Sequence, residues 1–238
     1  MGVKKFIHLS ALNSNMEHEG YFNPGGSKFL STKGESEDAV KEHFPDAVIF
    51  RPSDIFGQQD RFLFYFCRFF RYNMKWMPLP FAGEGIWKQP VYAADVAQGI
   101  VNAVYDHSSL GTTYEAVGPR RYELCEMIDW FNRVMMRDGE WGYKRYDMKW
   151  DPLTKIKARI NEYNPSVPLN MLVTDKIERE AVTDTTFDLP NLQDLGVTLT
   201  KLEDRISWEL KHFRTKGYYN PDVGEFEKPA PPKFIEPY

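Results

Sequence analysis

Short apolar runs and one longer segment of helical periodicity alternate in the first part of the sequence. Residues 3–9 predict a short strand and residues 47–50 form an apolar run of strand length, whereas residues 27–43 carry apolar side chains at helical spacing and stop before Pro45. Strand, helix and strand in this order predict a βαβ unit with two parallel strands. We therefore expect an α/β fold in which ligands bind beyond the carboxyl ends of these strands.

A second apolar segment runs from Arg61 to Tyr72 and is apolar on nearly every side of a helix, with arginines at 61, 68 and 71. A helix that is hydrophobic all round is usually buried in a core. The alternative is a helix that packs on a partner protein or on lipid headgroups with its arginines reaching outward. The pattern alone leaves both interpretations open.

The rest of the chain predicts further helices and a tail. Helices are predicted at residues 96–105, 122–136, 155–163 and 174–181 and around residues 202–213, with a strand at 112–118. From residue 217 onward the chain is rich in proline, and we expect this tail to lie over another surface of the protein without a core of its own.

Composition and charge exclude several classes of protein. The 238 residues are 42% hydrophobic, which is typical of a globular chain, and a net charge of −4 gives no reason to expect nucleic acid binding. No apolar run reaches the roughly 18 residues that span a bilayer. Cys67, Cys125 and the five histidines show no spacing typical of a metal site or a disulfide framework.

An aromatic residue and a lysine stand four positions apart at Phe29 and Lys33, so both lie on one face of the predicted helix. The segment R-P-S-D-I-F-G at residues 51–57 follows the second strand, and Q-P-V-Y-A-A-D-V-A follows at residues 89–97. Together these motifs resemble the extended short-chain dehydrogenases/reductases. The resemblance implies a Rossmann-type fold, with Lys33 on the cofactor ribose and with Pro52 and Ser53 lining the nicotinamide end.

Phe29 stands where these reductases have the tyrosine that exchanges a proton with the substrate. A phenyl ring has no proton to give, and Tyr21 has glycine rather than lysine four residues on, so we expect no catalytic residue. Ser10, directly after the first strand, is a candidate hydrogen-bonding group beside the nicotinamide. We interpret Asp95 as the N-cap of the next helix rather than as a catalytic carboxylate.

The sequence contains no glycine-rich phosphate loop, since Gly25 and Gly26 lie in a turn. We therefore expect the glycine-rich N-terminal half of the nucleotide domain to be absent and the chain alone to bind dinucleotides poorly. The predicted division is a partial Rossmann-like NAD(P)-binding domain at 1–120, a smaller, mostly helical α/β region at 121–216 and an extended tail at 217–238.

A narrower resemblance covers residues 8–196. Residues 45–63, 88–104, 117–122 and 175–179 are similar to the alpha-subcomplex subunit nine family of mitochondrial respiratory complex I. The resemblance implies a non-catalytic accessory subunit on the matrix side of the inner membrane, near the quinone-site junction. It also implies a tightly held structural NADPH, other complex I subunits as partners, and a lipid or membrane-arm contact through the segment from Arg61 to Tyr72.

Two other functions stay open at this point. The chain would be part of an NADP-dependent reductase or epimerase if the protein turns over a substrate and loses that activity on Lys33→Ala. It would be an independent interaction module, acting through the aromatic segment and the tail, if it folds stably without partners.

Overall fold

The computed structural model describes residues 2–58, 60–68, 75–137, 143–163, 172–215, 224 and 227–236. Its α-helices are α1 (Lys28–His43), α2 (Leu63–Cys67), α3 (Ala93–Tyr105), α4 (Leu124–Val134), α5 (Pro152–Tyr163), α6 (Thr174–Ala181) and α7 (Leu202–Glu209). Its strands are β1 (Ile7–Leu9), β2 (Val48–Pro52), β3 (Ile55–Phe56), β4 (Trp76–Leu79), β5 (Trp87–Lys88), β6 (Val91–Tyr92), β7 (Thr113–Ala116), β8 (Arg121–Glu123), β9 (Lys144–Asp147) and β10 (Phe234–Ile235).

A parallel three-stranded sheet in the order β1-β2-β7 forms the first layer. Ile7 lies opposite Val48, and Phe50 lies opposite Tyr114. All five residues of β2 are buried, as expected for a central strand covered on both faces. The βαβ unit predicted from the sequence is therefore confirmed.

Helix α1 connects the two predicted strands. Its N-cap is Ser27, whose hydroxyl accepts a hydrogen bond from the backbone N–H of Leu30 at 3.4 Å. The helix ends at His43, because Pro45 two residues later disfavours a helical conformation at the residue before it. Its bounds agree with the prediction to within one residue.

Two hydrophobic clusters form the core. The smaller lies around the parallel sheet and α3, and includes Val48, Phe50, Val96, Tyr114 and Leu192. The larger is built mainly by α2, α4, α6, α7 and the strands between them, and it is rich in aromatic side chains. Its fully or nearly fully buried members include Phe56, Leu63, Tyr65, Met77, Tyr122, Leu124, Trp130, Phe131, Ile177 and Ile206.

The apolar segment from Arg61 to Tyr72 contributes to this larger cluster. Only α2 is helical among its described residues, and Leu63, Tyr65 and Phe66 are buried there. The core interpretation is thus favoured for this part, while residues 69–72 lie outside the described residues. Periodicity could not decide the question, since a short buried helix and a contact helix share the same apolar pattern.

Asp95 is not the N-cap of α3, which corrects the interpretation drawn from the sequence. Tyr92 occupies the cap position, and Asp95 lies in the first helical turn. Its carboxylate accepts hydrogen bonds from the backbone N–H and the hydroxyl of Thr200, at 2.6 and 3.0 Å. Asp95 therefore fastens the segment before α7 to α3.

The described part of the tail lies across the surface, as predicted. Strand β10 pairs antiparallel with β8, and the backbone N–H of Lys233 donates to the Glu126 carboxylate on α4 at 3.1 Å. The Trp130 indole N–H donates to the carbonyl of Pro229 at 3.4 Å. The domain boundaries at residues 120 and 216 stay predictions.

Candidate functional site

A cleft of about 460 Å³ opens at the carboxyl ends of β1 and β2. Ser10, Lys33, Pro52 and Ser53 all line this cleft, together with Phe29. The structure thus brings together the four residues that the sequence singled out. They meet there because parallel strands in one sheet end at the same edge.

Lys33 and Phe29 occupy the same face of α1, as their spacing predicts. The Lys33 ammonium donates a hydrogen bond to the carbonyl of Leu9 at 2.7 Å and lies 5.9 Å from the centre of the Phe29 ring. A second cation, the guanidinium of Arg179 on α6, lies 4.9 Å from the same ring centre. Two positive charges therefore approach an aromatic ring that has no ionisable proton.

Ser10 belongs to a buried chain of hydrogen bonds. Its hydroxyl donates to the hydroxyl of Ser14 at 3.2 Å, which in turn donates to the Glu37 carboxylate at 2.7 Å. Arg51 donates to both oxygens of the same carboxylate, through Nε at 3.0 Å and Nη2 at 2.7 Å. Because the Ser10 proton points along this chain, the hydroxyl offers a lone pair to the cleft.

The environment of Glu37 keeps it ionised. Burial favours the neutral acid, but the hydrogen bonds from Arg51 and from the serine chain, together with the charge of Arg51, outweigh it and lower the pKa of Glu37 below its ordinary value. Sequence reasoning missed this carboxylate. A glutamate in a helix of mixed polarity gives no local sign that it faces a sheet.

Ser53 and Pro52, at the end of β2, also line the cleft. The Ser53 hydroxyl donates to the carbonyl of Gln89 at 2.5 Å, and its backbone N–H donates to the carbonyl of Ala116 at 3.1 Å. These bonds fix the turn after β2 against its neighbours. Like Ser10, Ser53 keeps a lone pair for a ligand.

Helix α6 holds α1 and the loop before it. The Asp175 carboxylate accepts hydrogen bonds from the Ser27 hydroxyl and the Phe29 backbone N–H, both at 3.2 Å. The buried Glu178 carboxylate accepts backbone N–H groups at 2.6–2.8 Å, from residues 21–23. Acidic groups at a helix N-terminus are favourable, so α6 stabilises the start of α1.

Tyr21 lies in this loop but does not line the cleft. Its hydroxyl donates to the Asp147 carboxylate. Burial, reinforced by the bond to Asp147, raises the pKa of Tyr21 above its ordinary value. The Tyr21 hydroxyl is therefore engaged outside the cleft that Lys33 lines.

A buried ion cluster also lines the cleft. The Lys88 ammonium lies 3.8 Å from Asp54 and 3.6 Å from Asp184 and donates to the carbonyl of Val182 at 2.7 Å. Burial raises the pKa of Asp184, although the charge of Lys88 opposes that shift. Sequence reasoning missed this cluster, because its members come from three distant parts of the chain.

Asp60 also lines the cleft. Its carboxylate accepts backbone N–H groups from Gly57, Leu63 and Phe64, at 3.0, 2.9 and 3.3 Å. Burial nevertheless raises the pKa of Asp60 to about 7, because these amide donors do not offset the loss of water. Asp60 thus fixes the loop that leads into α2.

Comparison with known proteins places the chain in context. No family model matches it. It is 36% identical over 233 residues to the mouse protein named NADH dehydrogenase (ubiquinone) 1 alpha subcomplex subunit 9, mitochondrial, covering 96% of this chain and 56% of the mouse protein. It is 25% identical over 238 residues to the 40 kDa subunit of the Neurospora crassa NADH-ubiquinone oxidoreductase, covering 98% of this chain and 57% of that subunit.

The fold is also found in solved structures. A nucleoside-diphosphate-sugar epimerase from Staphylococcus aureus superposes with a TM-score of 0.58 at 14% identity, over 87% of this chain and 65% of the epimerase. This likeness confirms the α/β class and the Rossmann-type architecture expected from the sequence. The chain spans about half the length of the curated relatives that it matches. Over 96% of its length, the chain is therefore homologous to the mitochondrial alpha-subcomplex subunit 9 proteins.

Proposed function

We propose that this chain is the main part of a non-catalytic accessory subunit of mitochondrial respiratory complex I. The observation that carries the proposal is the 36% identity to subunit 9 over almost the whole chain. The subunit has other complex I subunits as its partners. It lies on the matrix side of the inner membrane and supports assembly or stability near the quinone-site junction.

The cleft supports a role without catalysis. Phe29 stands beside Lys33 where a reductase needs a hydroxyl, and a phenyl ring cannot exchange a proton. The hydroxyls of Ser10 and Ser53 both donate to protein acceptors. The group best suited to proton exchange near neutral pH is Asp60, and its oxygens are engaged by backbone amides.

The cleft also supports a structural NADPH in the complete protein. Its donor set fits the ribosyl-nicotinamide end, because Lys33 supplies a cation for ribose hydroxyls and Ser10 and Ser53 supply acceptor lone pairs for a carboxamide. Pro52 offers an apolar surface to the ring. When bound, NADPH would be held by these residues as a structural ligand and would supply no hydride for turnover.

Among the expected partners, a lipid contact through the segment from Arg61 to Tyr72 has the least support from the structure. In its described residues, the segment directs Leu63, Tyr65 and Phe66 into the core. Apolar side chains that fill a core are not available to a membrane.

Native electrophoresis tests the proposed function. The tagged protein, expressed in mitochondria of its source organism, should co-migrate with complex I after mild detergent extraction. The Phe29→Tyr variant should co-migrate equally, because the added hydroxyl changes potential chemistry and not the outer surface. Absence of co-migration, together with NADPH-dependent turnover that is lost on Lys33→Ala, would instead establish a reductase.

A further inference from the structure

The carboxyl ends of β1 and β2 present hydrogen-bond acceptors to the cleft. The hydroxyls of Ser10 and Ser53 belong to residues that line it. Ser10 donates its proton to the Ser14 hydroxyl at 3.2 Å, and Ser53 donates its proton to the carbonyl of Gln89 at 2.5 Å. Because a hydroxyl has a single proton, each of these two serines has only lone pairs left for a ligand.

Glu37 fixes the direction of the Ser10 proton. Its carboxylate is 2% exposed and ionised, so it accepts hydrogen bonds and donates none. The proton of Ser14 is committed to this carboxylate at 2.7 Å, and the Ser14 oxygen therefore accepts from Ser10. Ser10 cannot turn its proton toward the cleft without breaking this buried chain.

Ser53 is fixed in a comparable way. A backbone carbonyl has no proton, so the bond to Gln89 runs in one direction only. Gln89 is buried, and its backbone N–H donates to the Asp184 carboxylate at 2.8 Å, which holds that carbonyl in place. The Ser53 hydroxyl is thus an acceptor toward the cleft for as long as this turn keeps its conformation.

The nearby backbone protons are also used within the protein. The N–H groups of Ser10, Leu12 and Ser53 donate to carbonyls of β2 or β7, at 2.8, 2.8 and 3.1 Å. These three groups would otherwise be the natural donors to a ligand at the strand ends. The hydroxyl and backbone protons of both serines are therefore directed away from the cleft.

The charges around the cleft favour the opposite kind of ligand. Four basic and three acidic side chains line it, namely Lys33, Arg61, Lys88 and Arg179 against Asp54, Asp60 and Asp184. Charge alone would therefore favour a ligand that carries an additional carboxylate. Hydrogen bonding at the strand ends favours a ligand group that brings its own protons, so the two effects predict opposite preferences.

We propose that Ser10 and Ser53 make the cleft specific for a carboxamide over the corresponding carboxylic acid, and hence for nicotinamide over nicotinate. A carboxamide brings two N–H donors, whereas a carboxylate brings only acceptors and leaves both serine oxygens without a partner. Unsatisfied polar groups in a buried site weaken binding. The inference rests on the proposed function, since the cleft must take the ribosyl-nicotinamide end of the cofactor.

A pair of mononucleotides tests the proposal on the purified chain. β-Nicotinamide mononucleotide and nicotinate mononucleotide share ribose and phosphate, and neither needs the glycine-rich loop that holds a dinucleotide. Ligand-observed NMR titrations measure both affinities. The carboxamide should bind about tenfold more tightly or better, against the preference that charge alone would give.

Serine variants assign the preference to its residues. Ser10→Ala and Ser53→Ala should each weaken binding of nicotinamide mononucleotide by about threefold or more, because one acceptor is lost, without weakening that of nicotinate mononucleotide. The double variant should have no preference for the carboxamide. An unchanged urea midpoint would show that each variant is folded, and the Ser53 variant provides a separate test if the buried Ser10 does not tolerate alanine.

Ser31→Ala is the matched control. Ser31 lies exposed on α1, where its hydroxyl donates to the Glu35 carboxylate at 3.4 Å, and it does not line the cleft. Both affinities should stay at their wild-type values in this variant. A loss of preference here as large as in Ser10→Ala would overturn the assignment to the strand ends.

The remaining outcomes separate this inference from the proposed function. Equal affinities, tighter binding of nicotinate mononucleotide, or a preference that persists in the double variant would overturn the inference alone. Binding of neither probe at millimolar concentration would overturn it together with the structural NADPH. Neither result bears on the accessory role, which co-migration with complex I tests independently.

Discussion

On helix α1 a carboxylate lies buried against the parallel sheet, whereas on helix α5 a stripe of apolar side chains lies in solvent. Glu37 is 2% exposed and Ile160 is 62% exposed. Both arrangements depart from the usual amphipathic helix, in which apolar side chains face inward. They depart in opposite directions.

The contacts on the inner face of each helix explain the difference. On α1, the guanidinium of Arg51 on a buried strand and the hydroxyl of Ser14 satisfy the carboxylate, so its burial is tolerated. On α5, the inner face carries Thr154 and Ala158, whose small size lets the helix approach its neighbours closely. The comparison teaches that the partner on the inner face, rather than the hydropathy of the helix, decides which side is buried.

The largest expected effect follows from removing the carboxylate on α1. Glu37→Ala leaves the guanidinium of Arg51 buried without its counter-ion, which should lower the free energy of unfolding by about 3–5 kcal/mol. Urea denaturation at neutral pH measures the change. Glu35→Ala, on the exposed side of the same helix, should change stability by less than about 0.5 kcal/mol.

The double variant Glu37→Met, Arg51→Met separates loss of the pair from loss of packing. Replacing both charges with apolar groups should cost clearly less than Glu37→Ala alone, since no unpaired charge is left in the core. Equal destabilisation of the single and the double variant would contradict the charge argument.

Asp60 extends the comparison to a buried carboxylate whose oxygens are bound by backbone amides rather than by a guanidinium. Burial raises its pKa from 3.8 to about 7. The folded state therefore holds more protons than the unfolded state between these values. The stability that Asp60 contributes is complete below about pH 4 and is lost as the pH rises toward 7.

The lowered pKa of Glu37 has the opposite effect on stability. The stability that Glu37 contributes is present above its pKa in the unfolded state and is lost as the pH falls through its pKa in the folded state. Urea denaturation of wild type and of the Asp60→Asn variant between pH 4 and pH 7 tests the contribution of Asp60 to stability. The wild type should lose stability with rising pH, by up to about 1.4 kcal/mol per pH unit relative to the variant. Parallel curves would show that Asp60 titrates as an ordinary carboxylate.

The inner face of α5 gives a smaller effect. Ala158 is fully buried, so Ala158→Leu should overpack the contact and lower the free energy of unfolding by about 1–3 kcal/mol. Thermal and urea denaturation measure the loss. An unchanged stability would mean that α5 is free to move away from its neighbours, which would weaken the argument that its orientation is fixed.

The sequence predicted those parts of the site that depend on the order of strands and helices or on residues close together in the chain. Ser10 and Ser53 meet because each directly follows a strand of one parallel sheet, and Lys33 meets Phe29 because they are four residues apart in a helix. The order of strand, helix and strand followed from apolar run lengths in the same way.

The remaining parts depend on partners distant in the chain. Lys88 and Asp184 are paired across 96 residues, and no pattern around either one indicates the other. Asp95 was misinterpreted for the same reason, since its partner Thr200 lies 105 residues away. The apolar residues of α5 show helical spacing in the sequence, but spacing does not tell which face meets the core.

The smallest expected effect completes the comparison of the two helices. Ile160→Gln removes a large apolar side chain from α5, and a buried isoleucine of this kind would cost several kcal/mol on such a change. Because Ile160 is exposed, the free energy of unfolding should instead change by less than about 0.5 kcal/mol. A urea denaturation curve that coincides with wild type would show that this isoleucine does not stabilise the fold. A loss of 2 kcal/mol or more, on the order expected for a core position, would mean that α5 buries this apolar face in solution.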